Sequence, residues 1–563
     1  MNFIKKIKIE QHTIKITYLI STIIFAIYEI LFCNVEFVRS IINKEQITYN
    51  FSLLRIVTYI AFFVVLYLNR EKIKTNLSKS LQNPIKLKCI AIYVPVFIIT
   101  SIILLCINLQ IQNLAVCFIT LLMIGLFLLY ITNNIIQNAL VVVLTFGSIF
   151  CIANKYNHPL DERQHFISAL NVSFGNFNFS DPITDKKYQS MDQVLKYNEI
   201  DETFYETYKE DITKDVDEEV KPTDYKSFLY IPAGIGILVG RILGGTVLDI
   251  YITGRFFNLI AYAIFAIFIL KLVPFKKKVF FIVLFNPLLL ALAASYSMDG
   301  ICAGFIILFI AYALKLYKEY QDEVNVTIKQ KIILGILFIP ILFIKGMTYT
   351  PVILITLLFP LRKIIQKNKK AIPIIICVII LLAIAGIILL KAGIPTDHRG
   401  GETSASGQIE NIIQNPLILV KTFFNHFNDN IFNFNWIIQM NQGAFFGNAH
   451  VIVFFFLVIF TIYVGIYDDD HNFKIKEKAI LLTTFLITLL LTSLALYITF
   501  TPIGLEQING YQARYLFPVI ALPLITLSEK HLKSDKNKNI NLAIVIILGI
   551  LITLDIIGMT AMR

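Results

Sequence analysis

The chain has 563 residues, 56% hydrophobic and only 16% charged, with a mean hydropathy of +0.71. That composition excludes a water-soluble globular protein, because repeated apolar runs of roughly 18–22 residues are long enough to cross a bilayer. The formal charge of +12 does not mark a nucleic-acid surface: residues 154–228 carry nine Lys/Arg against sixteen Asp/Glu, a net of −7 that leaves +19 elsewhere. An asymmetry of this kind reflects membrane sidedness.

In chain order, the first apolar run (16–33) follows Lys5, Lys6 and Lys8. It is long for a signal-peptide core and lacks a small-x-small cleavage site, so it reads as a retained helix. Further spans are expected near 51–68, 88–107, 113–132, 135–153, 250–271, 279–297, 300–317, 331–345, 348–361, 371–391, 450–467, 479–500, 513–528 and 541–560. The N-terminus and the basic connections at 70–88, 271–278, 362–370 and 530–538 belong on the cytoplasmic side. Alternation then places the long polar loops 154–228 and 392–449 outside. Residues 228–245 are apolar but hold Pro232, five glycines and Arg241. Spanning there would carry the lysines of 271–278 outside, so this segment reads as a helix in the outer interface, with a Gly-rich span as the alternative.

The expected fold is all-α and polytopic, a bundle of about 14–16 transmembrane helices. Residues 1–133 form an N-terminal four-helix extension, 134–530 the membrane core and 531–563 a last helix. The first outer loop is too long to be a mere connector. It begins with aromatic residues (Phe166, Phe174, Phe177, Phe179) and becomes charge-dense from Asp192 to Asp224. The seven cysteines occur singly and none falls in the two polar loops, which excludes a disulfide framework and a Cys-based metal cluster.

Five polar clusters fall at expected outer helix ends: Asp161-Glu162 with His165, Arg255, the turn from Ser295 to Gly300 with Asp299, the turn at Lys345, and Gly510 to Tyr515 with Gln512 and Arg514. Ionisable residues at a membrane boundary are functional candidates. Each has a plainer explanation. Pro159 and the acid pair suit a helix start and its dipole, Asp299 suits a cap, and Lys345 and Arg514 suit snorkelling at the interface. Asp161 and His165 are four apart and share a helical face, as a base and its neighbour would. His158 and His450 read as loop histidines, and the intramembrane Asp555 as structural.

Asp-Glu-x-x-His, Gly-Arg-x-x-Asn (Gly254, Arg255, Asn258), Ser-x-Asp-Gly (Ser297, Asp299, Gly300), the Lys345 turn and Gly-x-Gln-x-Arg-Tyr-x-x-Pro (Gly510 to Pro518) follow one another in order. Together they resemble a bacterial membrane-protein family catalogued as domain of unknown function 2142, over about residues 135–530. That family looks related to the C-type (GT-C) glycosyltransferases, which take lipid-linked sugars at the outer face of the cytoplasmic membrane. The first four spans look like an addition to the family pattern, which has one helix before the acidic motif. The more usual Pro-Asp-Glu-Pro-Ala-His is altered here, with Leu160 before Asp161 and Arg163-Gln164 before His165, while the small residue before Arg514 is kept as Ala513.

The resemblance implies transfer of a sugar from a polyprenyl-phosphate donor to a glycan, lipid or protein acceptor in the cell envelope, with inversion at the anomeric carbon. Asp161 is the expected base for the acceptor hydroxyl, with Glu162 as alternate or orienting partner. The leaving group is already a phosphate, so no second carboxylic acid is required. It needs cations instead, and Arg514, Lys345 and Arg255 are expected to hold it. Gln512, Tyr515, His165 and Asp299 are expected at sugar, lipid or acceptor. No cofactor and no metal ligand set is implied, although a divalent cation near Asp161 and Glu162 stays open. The alternatives are a lipid-linked glycan flippase or transporter, and a non-catalytic subunit of an envelope polysaccharide assembly. A transporter places its charges near the bilayer midplane, unlike these helix ends.

Overall fold

The computed structural model describes residues 130–153, 161–179, 225–244, 247–360, 401–429, 451–468, 471–527 and 540–561, with scattered positions between 60 and 128 and at 222–223. Among the described residues every regular element is helical. The expected spans at 16–33, 88–107 and 371–391, most of the N-terminal extension, and His158, Pro159, Leu160 and His450 lie outside them.

Helix α1 (Ile135–Val142) is capped by Asn134, whose side chain accepts from the Ile136 and Gln137 amides. It runs through a π turn (Val143–Gly147) into α2 (Ser148–Ala153). The extra residue in such a turn shifts the face presented onward. Gly147 sits there because an added Cβ would meet Leu259 at 2.7 Å. Next come α3 (Glu162–Ser173), a 3₁₀ turn (Ser227–Tyr230), α4 (Ile231–Ile242) and α5 (Val247–Leu272).

Helix α4 packs along both α3 and α5. Its glycines permit this approach: a Cβ on Gly236 would lie 2.6 Å from the Thr253 carbonyl. The opposite face leaves Ile231, Ile235, Leu238 and Ile242 exposed. With its 3₁₀ turn, α4 is one of the shorter apolar helices.

Helices α6 (Lys277–Leu284) and α7 (Pro287–Ala293) replace the single span expected at 279–297. Pro287 disfavours helix at the residue before it, and Asn286 turns that break into a cap by accepting from the Leu288 amide. Helix α8 (Asp299–Gln321) follows, then α9 (Ile328–Phe338). The spans expected at 331–345 and 348–361 are not two α-helices. After α9 the backbone tightens into 3₁₀ segments Ile339–Phe343, Lys345–Met347 and Thr350–Leu358, two of them opening on a proline. Nine 3₁₀ residues still cover about 18 Å. Within the stretch expected as the second polar loop lie α10 (Ala405–Gln414) and α11 (Pro416–Phe427). Then come α12 (Val451–Tyr467) and α13 (Ile475–Thr499), a 3₁₀ turn (Ala513–Leu516), α14 (Ala521–Ile525) and α15 (Ile540–Ala561). The expected span at 513–528 is therefore broken, with Pro518 between the 3₁₀ turn and α14.

Three helices, within α5, α8 and α13, are long and apolar enough to cross a membrane among the described residues. Of their apolar windows 44%, 83% and 33% are enclosed by protein, which makes α8 the central helix. It packs on α5, α7, α9 and the Thr350–Leu358 segment. One continuous apolar core joins these helices to α1, α3, α4 and α6. Exposed apolar side chains such as Leu482, Leu486 and Leu490 on α13 suit a lipid solvent.

Candidate functional site

The motifs meet where α3 and α8 begin, beside the first turns of α5. Arg255 and Asn258, one turn apart on α5, tie two other segments in place. The Arg255 guanidinium grips the Glu162 carboxylate at two points, Nε to Oε1 at 2.9 Å and Nη2 to Oε2 at 2.6 Å. It also donates to the Cys151 carbonyl at 3.0 Å and the Tyr251 hydroxyl at 2.8 Å. Both charged groups are fully buried. Glu162 Oε1 further accepts from the Tyr296 amide at 3.1 Å. Asn258 Nδ2 donates to the Ser295 carbonyl at 2.7 Å. The Asp-Glu and Gly-Arg-x-x-Asn motifs are thus the two hands that hold the turn from Ser295 to Gly300. Gly254 completes the grip, since a Cβ there would run into the Tyr296 hydroxyl.

The turn delivers Asp299 as the first residue of α8, where no side chain caps the helix; within the turn Ser297 Oγ accepts from the Asp299 amide at 3.2 Å. The Asp299 carboxylate is left to reach Lys345, 2.5 Å from Nζ to Oδ1, and Arg514, 3.2 Å from Nε to Oδ2. Two segments far apart in the chain converge on that one acid. Lys345, Gly346 and Met347 all have positive φ (42°, 61° and 68°), a conformation that costs energy for the two non-glycine residues. The Lys345 ammonium also lies 4.0 Å from the centre of the Tyr515 ring, and the Tyr349 hydroxyl donates to the Tyr515 carbonyl at 2.7 Å.

Asp161 precedes α3 in the left-handed region (φ 64°) and is exposed, without capping the helix through its side chain. Its charge is felt at Arg514 beside that of Asp299. One turn on, His165 shares a 2.7 Å hydrogen bond between Nδ1 and the Tyr230 hydroxyl, and its ring stacks on Tyr225 at 6.0 Å. Tyr230 continues to Thr223 Oγ1 at 2.8 Å and Thr223 to Ser168 Oγ at 3.0 Å. Gln512, on the strand-like residue before the 3₁₀ turn, keeps a buried Oε1 with no hydrogen-bond partner among the described residues.

The structure therefore brings Asp161, His165, Asp299, Lys345, Arg514 and Tyr515 around one place and sets Glu162 and Arg255 behind them. Sequence reasoning missed Tyr225, Tyr230, Thr223 and Ser168. Only Ser168, three residues after His165 on α3, carried a spacing signal. Among the described residues no group of three or more His, Cys, Asp or Glu is arranged to hold a metal ion.

Residues 144–523 match the family described as "Predicted membrane protein (DUF2142)". The chain belongs to that family. All nine expected site residues, from Asp161 to Tyr515, fall inside the matched region, and the whole N-terminal extension (1–133) falls outside it. No curated protein and no solved structure matches the chain.

Proposed function

We propose that this membrane protein is a glycosyltransferase of the C-type (GT-C) class. It would move a sugar from a polyprenyl-phosphate donor to an envelope glycan, lipid or protein at the outer face of a bacterial cytoplasmic membrane. The observation that carries the reading is the convergence of Lys345 and Arg514 on Asp299, with the exposed Asp161 near enough for its charge to act on Arg514. Two cations close on the Asp299 carboxylate, and the starts of α3 and α8 add the positive ends of their dipoles. Phosphate is the natural partner of such a centre. The lysine-bearing end of α5 at Lys271 lies about 24 Å along the helix from Arg255. That separation agrees with a cytoplasmic 271–278 connection and an outer site.

In this reading the Asp161 carboxylate takes the proton of the acceptor hydroxyl as its oxygen attacks the anomeric carbon. The bond from that carbon to the phosphate oxygen breaks, inverting the configuration. Lys345 and Arg514 receive the polyprenyl phosphate that leaves, Tyr515 and Gln512 line its approach, and His165 with Tyr230 orients the acceptor. Glu162 and Arg255 become positioning residues, because each spends its charge on the other.

One observation favours a second reading, a non-catalytic assembly subunit: both acid–base sets are satisfied within the protein. Transfer of radiolabelled sugar from polyprenyl-phosphate donors by the purified protein separates the two. A general base contributes about 10²–10⁴-fold, so Asp161→Asn is expected to lose transfer by that factor with folding and insertion unchanged. Wild-type protein inert with every donor supports the subunit reading, and an active Asp161→Asn variant removes the base.

A further inference from the structure

A second buried polar cluster lies beside the first. On α11, Thr422 and His426 are one turn apart and both buried; on α13, Ser493 and Tyr497 are likewise one turn apart and buried. Ser493 Oγ meets His426 Nε2 at 3.3 Å. The Tyr511 ring stands edge-on to His426 with centroids 4.6 Å apart. Lys421 and Asn425 on α11 bind Glu506, so Thr422 and Tyr497 both step from the His426–Ser493 contact towards the connection after α13.

The hydroxyls of Thr422, Tyr497 and Tyr511 have no hydrogen-bond partner among the described residues. Proteins rarely leave one buried hydroxyl unsatisfied, and three on α11, α13 and the segment that packs edge-on to His426 call for a polar partner. Burial pushes His426 down to about 4, only partly offset by Asp429, so its imidazole is neutral at pH 7. The five side chains are thus uncharged, offering hydroxyls, an imidazole and aromatic rings. A phosphate or carboxylate finds no cation here; a neutral polyhydroxylated ring finds both partners and an apolar wall. Tyr511 also immediately precedes Gln512 and lies three residues before Arg514, so one short segment lines both clusters.

We propose that Thr422, His426, Ser493, Tyr497 and Tyr511 form a subsite for a neutral hexopyranose, placed next to the cationic centre; as an assignment of substrate position it rests on the transferase reading. The test uses the full chain in lipid nanodiscs and saturation-transfer NMR with methyl glucoside, methyl galactoside and methyl N-acetylglucosaminide. At least one sugar is expected to bind, and Tyr497→Phe or Thr422→Val to weaken it about fivefold or more, as the loss of one hydrogen bond does. The ligand-free Tyr497→Phe protein is expected to melt no lower than wild type, because the hydroxyl removed has no partner among the described residues. Displacement of the bound sugar by a polyprenyl-phosphate sugar assigns the subsite to the donor's glycosyl unit, and its persistence assigns it to the acceptor. Failure of all three sugars to bind, equal binding by the variants, or a lowered Tm in Tyr497→Phe (a hydroxyl satisfied by water alone) overturns the proposal. Sugar transfer that survives such a failure leaves the transferase reading standing, whereas binding without any transfer keeps the subsite and removes that reading.

Discussion

The Glu162 carboxylate and the Arg255 guanidinium, 93 residues apart, meet as a two-point ion pair that no solvent reaches. Because Glu162 also accepts the Tyr296 amide, this pair fixes the turn that carries Asp299. Breaking a buried pair by removing one partner costs about 3–5 kcal/mol, because a charge is left uncompensated. Glu162→Ala and Arg255→Ala are each expected to lose that much stability in detergent unfolding. Replacing both together is expected to cost less than the sum of the two. A Glu162→Ala variant as stable as wild type would show that the pair does not hold the turn.

The Asp299 centre gives a different pattern. Arg514→Lys keeps the charge but loses the planar fork that matches carboxylate and phosphate. A charge-assisted hydrogen bond contributes about 1.5–3 kcal/mol, and 1.4 kcal/mol is tenfold. The expected result is a KM for the polyprenyl-phosphate donor raised about 10- to 100-fold with kcat little changed. Asp299→Asn is expected to lower stability, since two cations then face each other without the acid between them. A normal KM in Arg514→Lys would place the donor phosphate elsewhere.

Much of this site was legible in the sequence because ionisable side chains at the ends of apolar runs have few reasons to be there. Asp161, His165, Asp299, Lys345 and Arg514 could be grouped on that ground alone. Glu162 and Arg255 could not be separated from them: a charge paired across 93 residues looks like any other charge at a helix end. Tyr225, Tyr230 and Thr223 carry no charge and sit in the polar loop or the 3₁₀ turn after it, so no pattern pointed to them. The same limit applies to the fold. Hydropathy located α5, α8 and α13, but it counts apolar residues and is blind to backbone. It therefore read Thr350–Leu358 and 513–528 as spans, where Pro351, Pro518 and Pro523 were the better guides.

Gly254 offers a test of close packing by a single methyl group. An added Cβ would collide with the Tyr296 hydroxyl, which itself donates to the Tyr251 carbonyl at 2.7 Å. Overpacking of this kind costs about 1–3 kcal/mol. Gly254→Ala is expected to lower stability by that amount and to reduce transfer through the displaced turn. Adding Tyr296→Phe removes the oxygen in the way and is expected to recover part of the loss. Absence of any recovery would place the strain on the α5 backbone instead.

His426 gives the protein an acid-side weakness away from the cationic centre. Its imidazole is held by burial at about 4, below the usual 6.5, with Tyr511 and Ser493 in contact and Asp429 as the charge that favours protonation. The unfolded chain takes up this proton at higher pH than the folded one. Stability from His426 is therefore fully present above 6.5 and lost as the pH falls towards 4. Melting temperatures across that window are expected to fall faster for wild type than for His426→Gln, which keeps a polar group of similar reach without a titrating proton. Parallel slopes for the two proteins would mean that the imidazole is not held neutral.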